Sequence, residues 1–102
     1  MRVIAVSSLK LFWEKPGRDD AEQPLKTWYG EACRAARKSP AEIKVQYGNA
    51  SIVGNNRVVF NMAGNKYRLI VAFAYRTKIA YIKFVGTHAE YDKVDAASVD
   101  QS

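Results

Sequence analysis

The chain has 102 residues, 48% hydrophobic and 12% aromatic, with 16 Lys or Arg against 10 Asp or Glu and a net charge of +6. That length fits one domain with one modest core, and the single cysteine, Cys33, excludes an internal disulfide and points to a reducing compartment. No apolar run reaches the length of a membrane span, and Lys10 and Glu14 interrupt the N-terminal apolar residues that a signal peptide needs, so a cytoplasmic location is expected.

In chain order, Arg2 to Val6 reads as a short strand. Ser7 or Ser8 is placed to cap a helix carrying Leu9, Phe12 and Trp13, which Pro16-Gly17 stops. Asp20 opens a second helix: Gln23 completes a capping-box pattern and Pro24 falls in the first turn. Leu25, Trp28, Tyr29, Ala32 and Ala35 or Ala36 follow the 3.6 period. Cys33 lies among these alanines and is expected to be a small packed residue rather than a nucleophile. Arg34, Arg37 and Lys38 crowd the last turn, where the helix dipole favours cations. Ser39-Pro40-Ala41-Glu42 is a second capping box, for a short helix to about Tyr47.

Gly48-Asn49-Ala50 and Gly54-Asn55-Asn56 bracket a brief extended segment at Ile52-Val53. Three strands follow. Arg57 to Met62 alternates, with Val58, Phe60 and Met62 on one face. Ala63-Gly64-Asn65 makes a hairpin connection to a long strand from Lys66 to Tyr75, and Arg76-Thr77-Lys78 turns into a third strand from Ile79 to Gly86. The expected fold class is α+β, in two layers: an N-terminal strand and helices packed on an antiparallel β-meander. Residues 1–96 form the domain, and the small polar residues 97–102 are expected to be a disordered tail.

The basic charge is unevenly placed. From Ile43 to Ala89 there is no acidic residue, yet there are seven basic ones: Lys44, Arg57, Lys66, Arg68, Arg76, Lys78 and Lys83. The lone histidine, His88, follows at once in Gly86-Thr87-His88-Ala89-Glu90-Tyr91-Asp92. A basic sheet ending in titratable groups suits a phosphate-rich polymer, with nucleic acid the obvious one. The plain alternative is a charge that serves solubility.

Hairpin geometry sets Arg68 beside Asn61 and beside the stretch from Lys83 to Gly86, so Arg68, Lys83, His88 and Tyr91 are expected at one edge of the sheet. These types suit RNA cleavage. The 2′-hydroxyl loses a proton, the 5′-oxygen gains one, and charge gathers on the phosphate between them. Histidine can act as acid or base. Arginine offers a planar fork for phosphate, and lysine adds a point charge. Tyrosine stacks on a base or donates a proton. The bland readings are a hydrogen-bonded turn for His88, a capping box from Thr87 to Glu90 that makes Glu90 structural, pairing of Arg68 and Lys83 with Asp92 or Asp95, and core or partner-facing roles for Tyr67, Tyr75 and Tyr81. One His and one Cys far apart have no metal-site spacing.

The run from Arg57 to Leu69, with Asn61, Gly64, Asn65, Tyr67 and Arg68, resembles the HigB family of toxins from bacterial type II toxin–antitoxin pairs. So does the run from Tyr81 to Asp92, with Lys83, Gly86, Thr87, His88 and Tyr91. Phe12-Trp13-Glu14-Lys15 and Ala21 to Leu25 look like the subgroup found in enteric bacteria. The resemblance covers residues 1–96, and its C-terminal block is the specific part. It implies a RelE-like fold and a metal-independent, cofactor-free endoribonuclease. Such an mRNA interferase cuts messenger RNA, commonly on translating ribosomes, and arrests growth. It also implies a HigA-type helix-turn-helix antitoxin, with operator DNA bound only through the complex, and no membrane partner. Carried over by residue, it points to Arg68, Lys83, His88 and Tyr91 as catalytic. Asn61, Lys66 and Asp92 are secondary and, with Arg57, are expected to bind RNA. The subgroup departs from the best-known RelE-like arrangement, in which lysines, arginines and a C-terminal Tyr or His share the acid–base work. Two other readings use the same basic sheet: a non-catalytic module that occupies RNA or the ribosome, and a degenerate toxin acting only as co-repressor.

Overall fold

The computed structural model describes residues 1–34 and 40–100. Its strands are β1 (Arg2–Ile4), β2 (Ser51–Val53), β3 (Arg57–Met62), β4 (Tyr67–Ala74) and β5 (Ile79–Thr87). They form one sheet in the order β1-β5-β4-β3-β2. The expected meander is β3-β4-β5, antiparallel throughout. The N-terminal strand joins the sheet itself: β1 lies parallel to β5 and pairs Arg2–Ile4 with Ile79–Tyr81 only. Beyond Tyr81 that edge of β5 has no strand partner among the described residues.

The helices are α1 (Val6–Trp13), α2 (Glu22–Arg34), α3 (Pro40–Gln46) and the four-residue α4 (His88–Tyr91). Leu9 and Phe12 of α1, Leu25, Trp28 and Ala32 of α2, and Ile43 of α3 are buried against Val58, Phe60, Met62, Tyr67, Leu69, Val71, Phe73 and Ile82. Phe60 is the aromatic hub of this core. Its ring meets Tyr47 at 5.0 Å, Trp28 at 5.5 Å and Phe73 at 6.2 Å, each edge to face. The central strand β4 is apolar on both sides because a second, smaller cluster (Val59, Ile70 and Phe84) occupies the opposite face.

Four local expectations are corrected. No serine caps α1: its N-cap is Ala5, and Ser8 N donates to the Ala5 carbonyl at 3.0 Å, so a backbone turn closes the helix start. Asp20 does not cap α2, which begins at Glu22 after a 3₁₀ turn at Asp19–Ala21. Its carboxylate instead takes the Lys66 ammonium at 2.5 Å and the Tyr67 hydroxyl, stronger partners than a backbone amide. Cys33 is exposed, not packed, because Ala32 and not Cys33 takes the core-facing position of the last turn. Neither Arg68 nor Lys83 pairs with Asp92 or Asp95: Lys83 meets Asp100 and Arg68 bonds Asn65. Ala35, Ala36, Arg37, Lys38 and Ser39 lie outside the described residues.

The capping box at Thr87 is present as read from the sequence. Glu90 N donates to Thr87 Oγ1 at 3.2 Å and Thr87 N donates to Glu90 Oε1 at 2.8 Å. Thr87→Ala is therefore expected to cost about 1 kcal/mol of unfolding free energy in denaturant titration.

Candidate active site at the end of the sheet

Residues facing away from the helices lie in rows across the sheet. One row is Asn61–Arg68–Gly86 and another is Arg57–Ala72–Tyr81, with Val59–Ile70–Phe84 between them. The first row is the last on this face before the β3–β4 hairpin. A side chain at Gly86 has no room: a Cβ there would stand 2.6 Å from the Phe84 ring and 3.1 Å from Glu90 Oε1. Gly86→Ala should thus cost about 1–3 kcal/mol through forced repacking, measured as a fall in midpoint denaturant concentration.

The close approach at Gly86 lets α4 fold back over the row. His88 N donates to the Lys66 carbonyl at 3.2 Å, tying the helix start to the β3–β4 hairpin. Tyr91 then lies with its ring 5.5 Å from the Arg68 guanidinium, a cation–π contact, and 6.4 Å from the Phe84 ring. Arg68 Nη1 also donates to Asn65 Oδ1 at 3.3 Å. One helical turn puts His88 Nδ1 at 3.3 Å from Asp92 Oδ2, both side chains more than half exposed. Thus Arg68 with Tyr91, and His88 with Asp92, are assembled by one four-residue helix.

Glu90 is held below the usual carboxylate range, first by the Thr87 amide and further by Arg18, whose guanidinium is 3.3 Å away. A carboxyl depressed in the folded state contributes stability above its unfolded value, near 4.5, which is lost as pH falls through the lower folded value. Stability should therefore begin to fall below about pH 4.5, and Glu90→Gln should flatten that limb of the stability profile.

The side chains of the other expected residues are engaged elsewhere. Between Ile70 and Val71 the β4–β5 register slips, from Ile70↔Phe84 to Val71↔Ile82, which leaves Lys83 as a bulge residue. The bulge re-aims its side chain. The ammonium sits 5.5 Å from the centre of the Tyr81 ring and 3.4 Å from Asp100 Oδ2, toward the Arg57–Tyr81 row. Arg57 is 8% exposed and donates through Nη1 to the carbonyls of Ala96 and Val99. Asn61 Nδ2 donates to the Asn49 carbonyl at 3.0 Å, holding the loop before β2. Lys66 is turned to Asp20, which raises the ammonium above its ordinary value and lowers the Asp20 carboxyl. Burial, with Asp20 second, pushes the Tyr67 hydroxyl up.

Three contributors were missed in the sequence: Arg18 on Glu90, Asp20 on Lys66, and Tyr81 beneath Lys83. The first two are long-range ion pairs with no local signal. The third follows from the bulge, which breaks the alternation of β5. A cleft of about 480 Å³ between α1 and the open edge of β5 is lined by Leu11, Phe12 and Lys15 and reaches Lys83 and Phe84, but not the His88 group. Among the described residues no three His, Cys, Asp or Glu side chains are grouped to hold a metal ion. No helix among them is long and apolar enough to cross a membrane.

A search of curated proteins finds no match to this chain. A family profile does match, over residues 21–94, and it is that of the HigB toxin, the RelE-like toxic component of a toxin–antitoxin system. The matched span holds β2 to β5, α2 to α4 and every residue of the Arg68–His88 group. The two-layer α+β architecture is compatible with the RelE-like fold, and the chain belongs to the HigB toxin family.

Proposed function

We propose that this toxin is a metal-independent endoribonuclease that cuts messenger RNA on the translating ribosome, in the bacterial cytoplasm, and so arrests translation and growth. The observation that carries this reading is the Arg68–Tyr91 and His88–Asp92 group at the end of a sheet segment that contains no acidic residue from Ile43 to Ala89. In this mechanism the 2′-hydroxyl attacks the adjacent phosphorus and the P–O5′ bond breaks. A 2′,3′-cyclic phosphate and a 5′-hydroxyl result. His88 moves a proton as acid or base, with Asp92 orienting its ring through Nδ1. The Arg68 fork takes the charge that gathers on the phosphate, and Tyr91 holds the guanidinium in plane while presenting its ring to a base. Lys83, re-aimed by the bulge, serves a neighbouring phosphate along the strand. Its partner as a toxin is an antitoxin. The proposal extends to a HigA-type helix-turn-helix protein with an acidic surface for this +6 chain, through which the pair reaches operator DNA.

The test is induction in antitoxin-free cells with message 5′ ends mapped. New 5′ ends appearing with growth arrest support cleavage. Arrest over intact messages would replace it with inhibition by occupancy, and no arrest with operator binding intact would leave a co-repressor.

A further inference from the structure

The second basic row of the sheet is covered by the chain itself. After α4 the residues from Val94 to Asp100 cross the outer face, with Val94, Ala96 and Val99 packed against Val59, Ile70 and Phe84. Polar contacts fasten the crossing at both ends. Asn55 Nδ2 donates to the Ala97 carbonyl at 2.7 Å, and Arg57 Nη1 donates to Ala96 at 3.2 Å and to Val99. Lys83 Nζ meets the Asp100 carboxylate at 3.4 Å. Asp95 shapes the turn by accepting from Ala97 N at 3.1 Å and Ser98 Oγ at 2.9 Å. Residues 95–100 fall outside the span that the toxin family profile matches.

What the strap supplies to Arg57 and Lys83 is acceptor oxygen, two carbonyls and one carboxylate. A phosphodiester offers the same chemistry, and the Tyr81 ring beside Lys83 offers a stacking surface. The Arg57–Tyr81 row is separated from the Arg68–Gly86 row by a few residues of strand, roughly 13 Å at 3.3 Å per residue. That is about two nucleotides of extended single strand. The Lys83–Asp100 pair is long and Asp100 is more than half exposed, so this fastening is weak. The Arg57 Nε atom is buried without a hydrogen-bond partner, so the strap satisfies the guanidinium only in part.

We infer that the Arg57–Tyr81–Lys83 row is a second RNA-phosphate subsite, and that the segment Asp95–Asp100 is a strap seated in it which RNA displaces. The inference rests on the RNA reading above. It makes the strap an internal competitor: the closed form holds RNA only at the Arg68 end, and the open form adds the second phosphate and a stacked base.

The test uses a 2′-O-methylated RNA of about ten nucleotides, which cannot be cut. Its binding is followed by fluorescence anisotropy at several salt concentrations, together with hydrogen exchange of residues 95–100. Asp100→Asn keeps the apolar packing of Val94, Ala96 and Val99 and removes the carboxylate charge that meets Lys83. It is expected to bind about threefold or more tightly than wild type, with a salt slope steeper by about 0.7 for one added phosphate contact. Lys83→Ala in the Asp100→Asn background should cancel that gain. RNA should also speed exchange across 95–100 in the wild type. Equal affinity and slope in all forms, with exchange unchanged on binding, would show a fixed structural strap and overturn the inference while leaving RNA binding intact. Absence of binding in every form would remove the RNA reading and the inference together.

Discussion

Arg68→Ala is expected to abolish growth arrest while the protein still accumulates. Loss of one preorganised charge donor at the reacting phosphate slows cleavage by about 10²–10³, roughly 3–4 kcal/mol of transition-state stabilisation. The fold should hardly notice. Arg68 is half-buried on the outer face, its hydrogen bond goes to the neutral Asn65, and its other contact is the Tyr91 ring. Arg68→Lys should recover only part of the activity, because an ammonium has neither the planar fork nor the flat face that lies on Tyr91. His88→Ala should behave like Arg68→Ala, since the ring that the Asp92 contact orients is then gone. Growth curves and immunoblots of the induced variants check this. If Arg68→Ala and His88→Ala both remain as toxic as the parent, the site lies elsewhere.

Phe60→Ala should have the largest effect on stability. Phe60 is 1% exposed and makes edge-to-face contacts with three aromatic rings, one from each of α2, β4 and the turn after α3. Truncation leaves a cavity between the helical layer and the sheet, and the expected loss is about 3–5 kcal/mol. A domain of this size has about 5–15 kcal/mol in all. The variant should therefore unfold at far lower urea and populate the unfolded state at growth temperature. Leu11→Ala is the control: Leu11 is 65% exposed and its loss should stay within about 0.5 kcal/mol. A drop below about 1.5 kcal/mol for Phe60→Ala would show that the two layers close over the gap.

The meander was legible because its signals are local. The alternation of Val58, Phe60 and Met62, the Ala63-Gly64-Asn65 turn and the apolar run of β4 each fix a strand without reference to the rest of the chain. The Thr87–Glu90 capping box was legible for the same reason. Capping at the first two helices was misread because a serine or aspartate near a helix start has other uses. Asp20 found a cation and a phenol 46 and 47 residues away, and no local pattern encodes that. The parallel pairing of β1 on β5 is likewise a long-range event.

The candidate site was legible in half. Antiparallel register puts Asn61, Arg68 and Gly86 in one row, as the hairpins imply, and α4 adds His88 and Tyr91. Lys83 broke from that scheme through a single extra residue, since one bulge turns the period of a strand by half. The contacts of Arg57 depend on a segment about 40 residues later in the chain.

The central claim is a cleavage chemistry, and the ends of the cut message report it most directly. Purified toxin is added to ribosomes translating a defined message, and the new termini are identified by mass spectrometry. A 2′,3′-cyclic phosphate paired with a 5′-hydroxyl is the predicted result, lost when the scissile nucleotide carries 2′-deoxyribose. Ends bearing a 5′-phosphate, cleavage that survives the 2′-deoxy substitution, or an arrested ribosome on an uncut message would contradict it.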